Sequence, residues 1–92
     1  MGKKIAIVDD NSIVVRQFRG SQIERRIISA DTFMAFKTNL LPQHNSVCVW
    51  LLDRTLPFKE GEVPIDLGDE LVKELKKVCP DIPRICISTM GY

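Results

Sequence analysis

The chain has 92 residues, of which 45% are hydrophobic and 27% are charged, and its 13 basic and 12 acidic side chains give a formal net charge of +1. This length and composition predict one folded domain over residues 1–92 and exclude a disordered chain. A charge so close to zero provides no field that would draw the protein to nucleic acid or to an anionic membrane, so we expect neither as a partner.

Four short apolar runs predict the strands of a buried sheet. They occupy residues 4–8, 27–30, 47–52 and 84–87. The first run ends in Asp9 and Asp10, and the third ends in Asp53. The fourth ends in Ser88 and Thr89, so three of the four strands finish in polar groups at their carboxyl ends.

Helical patterns fill the gaps between these strands. We expect a first helix over residues 12–26, a second from Asp31 or Thr32 to Pro42, and a third that begins near Asp66 and stops at Pro80. The spacing of Phe33, Phe36 and Leu40 marks the second helix, and its two aromatic residues are expected to lie in the core. The stretch 57–68 predicts a long loop, and the alternation of strands and helices predicts a parallel sheet with right-handed crossovers.

The three cysteines, Cys48, Cys79 and Cys86, lie in or beside apolar segments and show no C-x-x-C spacing. They predict packed thiols in a reducing compartment rather than a disulfide framework or a structural zinc site. No apolar run approaches the roughly 20 residues of a membrane helix, and the first residues do not resemble a signal peptide. We therefore expect a cytoplasmic protein that does not enter a membrane.

The acidic residues that follow the strands indicate a candidate site. In a flavodoxin-like sheet the ligand lies beyond the carboxyl ends of the first and third strands, where Asp9, Asp10 and Asp53 are expected to converge. Three carboxylates repel one another, so a cation is expected among them, and oxygen ligands favour Mg²⁺ over zinc or copper. The alternative for Asp10 or Asn11 alone is a cap on the following helix.

Four segments in order resemble the receiver domain of two-component response regulators. They are KIAIVDDN (residues 4–11), LLDRTLP (51–57), GDELVKELKK (68–77) and PRICIST (83–89). The match covers nearly the whole chain, and its specificity comes from the ordered set rather than from any one segment. The resemblance implies a flavodoxin-like open parallel sheet of about four βα units in the strand order 2-1-3-4.

The resemblance also implies roles for individual residues. Asp53 would be the phosphoacceptor, taking a phosphoryl group from the phosphohistidine of a histidine kinase or phosphotransfer protein. Asp9, Asp10 and Asp53 would bind Mg²⁺ together with the backbone carbonyl of Thr55. Such a module is not a turnover enzyme, although a receiver catalyses its own phosphorylation and dephosphorylation.

Three further positions match the family's switch and loop. Ser88 would be the switch hydroxyl, with Thr89 as the second choice, and Pro57 would shape the loop after the acceptor. The chain stops after its fourth predicted strand, so the family's last helix-strand-helix has no counterpart. No residue therefore matches the lysine that contacts the phosphoryl group in that family.

Two functions remain open from the sequence. The first is a receiver that accepts phosphate on Asp53. The alternative is a degenerate pseudo-receiver that acts as an interaction or dimerisation module without phosphorylation switching. Because strand 84–87 would form a sheet edge beside an incompletely covered apolar face, we expect a homodimer through that edge or face. A fragment of a longer receiver is the rival explanation.

Four arginines place positive charge on or after the first predicted helix: Arg16, Arg19, Arg25 and Arg26. In receivers this region faces the kinase or phosphotransfer partner. A solvated helix face explains the same charges, so the pattern does not decide between these interpretations.

Overall fold

The fold is built around a four-stranded parallel sheet. A computed structural model describes residues 3–11 and 15–87, with Cys86 and Ile87 described by their backbone alone. The strands along the chain are β1 (Lys4–Val8), β2 (Ile27–Ala30), β3 (Val47–Asp53), β4 (Thr55–Leu56), β5 (Ile65–Asp66) and β6 (Arg84–Ile87). The sheet has the order β2-β1-β3-β6, and β4 pairs with β5 in a separate antiparallel ribbon. The fold is therefore mixed α/β.

All four predicted strands are present, and every neighbouring pair in the sheet is parallel. Their spatial order corresponds to the predicted 2-1-3-4, but the fourth predicted strand is β6 because two short strands that we did not predict precede it. Continuous apolar runs suit such strands because both faces of a parallel sheet are covered. In β1, Ala6, Ile7 and Val8 are fully buried.

One irregularity corrects the prediction of packed thiols. The β1–β3 register pairs Lys4 with Val47 but Ile5 with Val49, so Cys48 is an extra residue on β3. An inserted residue of this kind bends the strand locally and does not keep the regular alternation. The side chain of Cys48 is exposed, whereas Cys79 is buried as expected. Burial raises the pKa of the Cys79 thiol.

The first predicted helix is wrong over most of its described length. Among residues 15–26, only Val15 and Arg16 are α-helical, and turns lead to a short 3₁₀ segment at Glu24–Arg26. A regular helix through residue 26 is excluded by Gly20, whose φ of +82° lies in the left-handed region that a right-handed helix cannot use. Residues 12–14 lie outside the described part.

The second helical segment is irregular and longer than predicted. It begins with α1 (Phe33–Ala35), widens in a π-helical turn at Phe36–Leu40, and then tightens into a 3₁₀ segment at Leu41–Ser46. Pro42 does not end it. The proline lies in the first turn of the 3₁₀ segment, where a missing N–H removes no helical hydrogen bond.

The third predicted helix is confirmed as α2 (Gly68–Val78), which starts two residues after Asp66. A carboxylate oxygen of Asp66 accepts a hydrogen bond from the N–H of Gly68 at 3.0 Å, and this bond holds the pKa of Asp66 below its ordinary value. Leu71 and Leu75 are fully buried. None of the helices described is long and apolar enough to cross a membrane.

The predicted loop 57–68 contains β5, which pairs with β4 directly before the loop. The N–H of Leu67 donates to the carbonyl of Arg54 at 2.7 Å, beside the pairing of Thr55 with Asp66. At the far end, Gly61 has a φ of +87° and supplies the left-handed turn. The segment is thus a short hairpin-like element rather than an open loop.

The hydrophobic core lies between one face of the sheet and the two helical segments. Its buried members are Ala6, Val8, Ala30, Phe33, Phe36, Leu40, Val47, Trp50, Leu52, Leu56, Leu67, Leu71, Leu75 and Cys79. The prediction that Phe33 and Phe36 are core residues is confirmed, and Leu40 is buried with them. Phe36 contacts Trp50 edge-on, with ring centroids 5.7 Å apart.

Thr32→Ala should destabilise the protein by about 1 kcal/mol. Thr32 precedes α1, and its hydroxyl oxygen accepts a hydrogen bond from the N–H of Ala35 at 3.0 Å. Thr38→Ala is the matched control, because the exposed Thr38 hydroxyl donates to the carbonyl of Met34 within the helical segment and caps no terminus. Urea unfolding of both variants measures the difference, and equal losses would contradict the capping role.

Candidate functional site

The sheet brings two acidic residues to one edge. Val8 pairs with Leu52 in the parallel β1–β3 ladder, so Asp9, which follows β1, lies beside Asp53 at the end of β3. Both carboxylates are buried, with exposed fractions of 3% for Asp9 and 2% for Asp53. Position in the sheet therefore places two acidic groups in the protein interior.

Asp10 completes the cluster from the surface. One carboxylate oxygen from each of Asp9, Asp10 and Asp53 can be chosen so that all three atoms lie within 4.8 Å of one another. Asp10 is exposed, whereas the other two are buried. The structure thus brings together the three carboxylates that the sequence predicted to converge, in an arrangement that could hold a metal ion.

Backbone hydrogen bonds orient the two buried carboxylates in the same way. The N–H of Asn11 donates to Oδ1 of Asp9 at 2.8 Å, and the N–H of Thr55 donates to Oδ1 of Asp53 at 3.1 Å. Each bond joins a side chain to the backbone two residues further on. These bonds fix the orientation of the carboxylates without neutralising their charge.

The other oxygen of Asp9 explains why the cluster suits a cation. Oδ2 of Asp9 is buried and has no hydrogen-bond partner within the described residues. Two ionised carboxylates cannot hydrogen-bond to each other, so Asp53 satisfies this oxygen only when one of the pair carries a proton. Leaving such an atom unsatisfied costs about 1–3 kcal/mol, and a bound cation would remove that cost.

Burial and electrostatic repulsion in the cluster oppose ionisation. The pKa of Asp9 is raised from 3.8 to about 6, chiefly by burial; the N–H of Asn11 acts in the opposite direction, and the nearby charges of Asp53 and Asp10 contribute to the rise. The pKa of Asp10 is also raised, chiefly by burial and then by the charge of Asp53. A divalent cation among these groups would favour their ionised forms.

The remaining predicted site residues are placed as follows. Thr55 contacts Asp53 through its backbone N–H, and the role of its carbonyl as a metal ligand stays a prediction. The carbonyl of Pro57 accepts a hydrogen bond from the N–H of Phe33 at 2.9 Å, which ties the segment after β4 to the start of α1. The predicted switch residues, Ser88 and Thr89, lie outside the described residues.

Two lysines close in sequence to the strands that carry the acidic cluster have partners outside the cluster. The ammonium group of Lys59 lies 3.7 Å from a carboxylate oxygen of Glu62, and that of Lys4 donates to the carbonyl of Arg25 at 3.5 Å. Arg54, next to Asp53 in the chain, pairs instead with Asp66 at 3.2 Å.

A fourth acidic residue was not predicted as part of the site. Asp31 follows β2 directly, and β2 is the neighbour of β1, so Asp31 lies close enough to raise the pKa of Asp10. The sequence pattern assigns Asp31 only to the start of the second helix. The rule that parallel strands end at one edge of a sheet could have identified it, because β2 was among the predicted strands.

No family model matches the chain, and neither a curated protein nor a solved structure gives a significant match.

Proposed function

We propose that this protein is a receiver-type phosphoacceptor module with a flavodoxin-like fold, in which Asp53 accepts a phosphoryl group. The observation that carries the proposal is the buried Asp9–Asp53 pair joined by Asp10, with the orphaned Oδ2 atom of Asp9 inside it. The ordered resemblance of the segments around Asp9, Asp53 and Thr55 to receivers supports the same interpretation.

The proposed reaction transfers phosphoryl from a phosphohistidine on a histidine kinase or phosphotransfer protein. A carboxylate oxygen of Asp53 forms a bond to phosphorus while the phosphorus–nitrogen bond breaks. The donor reacts with a proton already on the other nitrogen of its imidazole ring, so return of the electron pair of that bond to the ring releases neutral histidine. The backbone N–H of Thr55 holds the Asp53 carboxylate in a fixed orientation during this transfer.

The residues present fit a Mg²⁺ ion. Its proposed ligands are Asp9, Asp10, Asp53 and the carbonyl of Thr55, an all-oxygen set of the kind that Mg²⁺ prefers. When bound, Mg²⁺ would offset negative charge on the phosphoryl oxygens. Because the ion would also satisfy the orphaned oxygen of Asp9, its binding should be favourable even without a phosphodonor.

Phosphoramidate with Mg²⁺ should add one phosphoryl group to the wild-type protein and none to Asp53→Asn. Phosphoramidate contains the phosphorus–nitrogen bond of the proposed donor, and the amide of the variant lacks the nucleophilic oxygen charge. Intact-mass measurement before and after acid treatment detects the labile adduct. Asp81→Asn, an exposed substitution beyond α2, is the control and should react like wild type.

A wild-type protein that gains no adduct, or an adduct that persists in Asp53→Asn, would contradict the proposal. The first of these results would favour the pseudo-receiver alternative, in which the acidic cluster is retained without phosphorylation.

Mg²⁺ affinity should rise with pH through the pKa of Asp9, near 6. Below that pH the metal must displace a proton from the Asp9 carboxylate, and above it the ligand is already ionised. We expect up to about tenfold weaker binding for each pH unit below 6 and little change above 7. Calorimetric titrations at pH 5.0, 6.0 and 7.5 measure this, and a flat profile would show that Asp9 is not a ligand.

A further inference from the structure

A cavity of about 480 Å³ opens beside the acidic cluster. It lies between the ends of β1 and β2 and the turn at residues 15–20, and Asp10, Asp31, Arg16 and Arg19 contribute to its lining. The volume falls in the range of small-molecule sites rather than that of a single ion. We call it the arginine cavity.

Both arginines approach the arginine cavity from one side. The N–H of Arg19 donates to the carbonyl of Arg16 at 3.0 Å, and that of Phe18 donates to the carbonyl of Val15 at 3.1 Å. In a turn of this i→i+3 type, residues three apart eclipse each other. Arg16 and Arg19, which both line the cavity, therefore form one wall with two guanidinium groups, although the predicted helix does not continue beyond Arg16.

These guanidinium groups have no acidic partner within residues 3–11 and 15–87, even though acidic side chains line the same cavity. Arg54, by contrast, pairs with Asp66 at 3.2 Å. Arg16 and Arg19 are thus available to a ligand, and the planar guanidinium group matches the geometry of phosphate oxygens.

The charge of the arginine cavity depends on the metal. Four carboxylates (Asp9, Asp10, Asp31 and the adjoining Asp53) and two guanidinium groups belong to the cavity and the acidic cluster beside it, which gives a formal charge of −2. A divalent cation held by the acidic cluster would neutralise that charge. An anion should therefore bind only together with the cation, and the two ligands should strengthen each other's binding.

The rest of the lining suits hydroxyl groups. Ser29 at the end of β2, Asp31 after it and Asn39 in the helical segment supply a hydroxyl, a carboxylate and an amide to the same cavity. Such groups donate to and accept from the hydroxyls of a polyol. The cavity therefore offers cationic groups for a phosphate and polar groups for a hydroxylated remainder.

We infer that the arginine cavity binds a small hydroxylated phosphomonoester of the sugar-phosphate class, with its phosphate on Arg16 and Arg19 beside the metal site. Its hydroxyl groups contact Ser29, Asp31 and Asn39. The inference rests on the proposed function only for the divalent cation at the acidic cluster, and it adds a small-molecule ligand to that site.

Calorimetric titration of ribose 5-phosphate into the full chain tests this. Binding should be measurable with Mg²⁺ and lost with a chelator. The double variant Arg16→Gln/Arg19→Gln should bind about tenfold more weakly or worse, because it loses charge-assisted hydrogen bonds. Arg25→Gln/Arg26→Gln removes the same charge from exposed residues outside the cavity and should bind within about twofold of wild type.

Inorganic phosphate is the second probe and should bind more weakly than ribose 5-phosphate, since it cannot reach Ser29, Asp31 and Asn39. Equal affinity for the two probes, equal weakening in both double variants, or binding that survives chelation would each overturn the inference. Thermal melting of both double variants confirms that they are folded, as expected for substitutions at exposed positions.

The titration separates failure of this inference from failure of the proposed function. Metal-dependent binding of ribose 5-phosphate by a protein that phosphoramidate does not modify would reject the phosphoacceptor role and support the cavity. Phosphorylation of Asp53 without ribose 5-phosphate binding would support the phosphoacceptor role and reject the cavity.

Discussion

Asp9→Asn is expected to make the metal-free protein more stable and to destroy its Mg²⁺ site. The substitution removes a buried charge beside Asp53 and gives the orphaned Oδ2 position an amide that can donate a hydrogen bond to that carboxylate. The free energy of unfolding at pH 8 should rise by about 1–3 kcal/mol, the usual cost of an unsatisfied buried polar group.

The same substitution should weaken Mg²⁺ binding by more than about tenfold, because loss of an outer-shell partner alone often costs 10–100-fold. Urea unfolding with a chelator and calorimetric titration with Mg²⁺ measure the two effects. Asp81→Asn, at an exposed position, should change stability by less than about 0.5 kcal/mol and leave Mg²⁺ affinity unaltered. A less stable Asp9→Asn protein with normal Mg²⁺ affinity would contradict the proposed site.

The stability difference should also depend on pH in a predictable direction. The folded pKa of Asp9 is near 6, above its ordinary value of 3.8, so the folded state binds this proton more tightly than the unfolded state. The unfavourable contribution of ionised Asp9 therefore develops as pH rises through 4 to 6 and is absent well below 4. Asp9→Asn should gain most above pH 6 and little at pH 3.5.

The strands and the acidic cluster could be predicted because each depends on a local pattern. A short apolar run such as 4–8 carries its strand signal in a few consecutive residues, and parallel strands necessarily end at the same edge of the sheet. Asp9 and Asp53 each come directly after the last residue of an apolar run, so their place at the end of a strand could be predicted. The convergence of these carboxylates therefore required only the order of neighbouring strands.

The helices were less predictable because their irregularities are set by backbone conformation. Gly20 adopts a positive φ, and one glycine in a helical pattern does not reveal whether it will be tolerated or will end the helix. Pro42 looked like a stop but lies at the start of a 3₁₀ segment, where its ring is compatible with continuation. Both outcomes depend on tertiary contacts that a local pattern does not contain.

The ordered ribbon and the exposed cysteine depend on pairings between distant residues. β5 has only two residues and is stabilised by its pairing with β4, about ten positions earlier in the chain. No apolar run therefore predicts it from the sequence. Cys48 is exposed because of a register shift between β1 and β3. The arginine cavity has the same origin, since it needs the turn at 15–20 to lie against the ends of two strands.

Phe36→Ala should be the most destabilising single substitution considered, with a loss of about 3–5 kcal/mol. The Phe36 side chain is fully buried, and its ring lies 5.7 Å from that of Trp50 and 5.8 Å from that of Phe33. Removing it leaves a cavity between the π-helical turn and β3, the strand that ends in Asp53.

Phe58→Ala provides the matched control, because it deletes the same ring from a site that is 41% exposed. The Phe58 ring stacks on Phe33 at 5.5 Å, so we expect a loss of about 1 kcal/mol. Urea unfolding measures both losses. If Phe36→Ala fails to fold, Phe36→Leu takes its place; this substitution keeps most of the side-chain volume and should cost less than about 1.5 kcal/mol.

Because Phe36 packs against Trp50 of β3, the strand that ends in Asp53, its loss should also lower Mg²⁺ affinity under conditions in which the variant is still folded. Phe58→Ala leaves the Phe36–Trp50 contact in place and should keep wild-type affinity. Equal destabilisation by the two alanine variants would show that the core is not centred on the contact between the π-helical turn and β3. The position of Asp53 would then depend on the ladders to β1 and β6 alone.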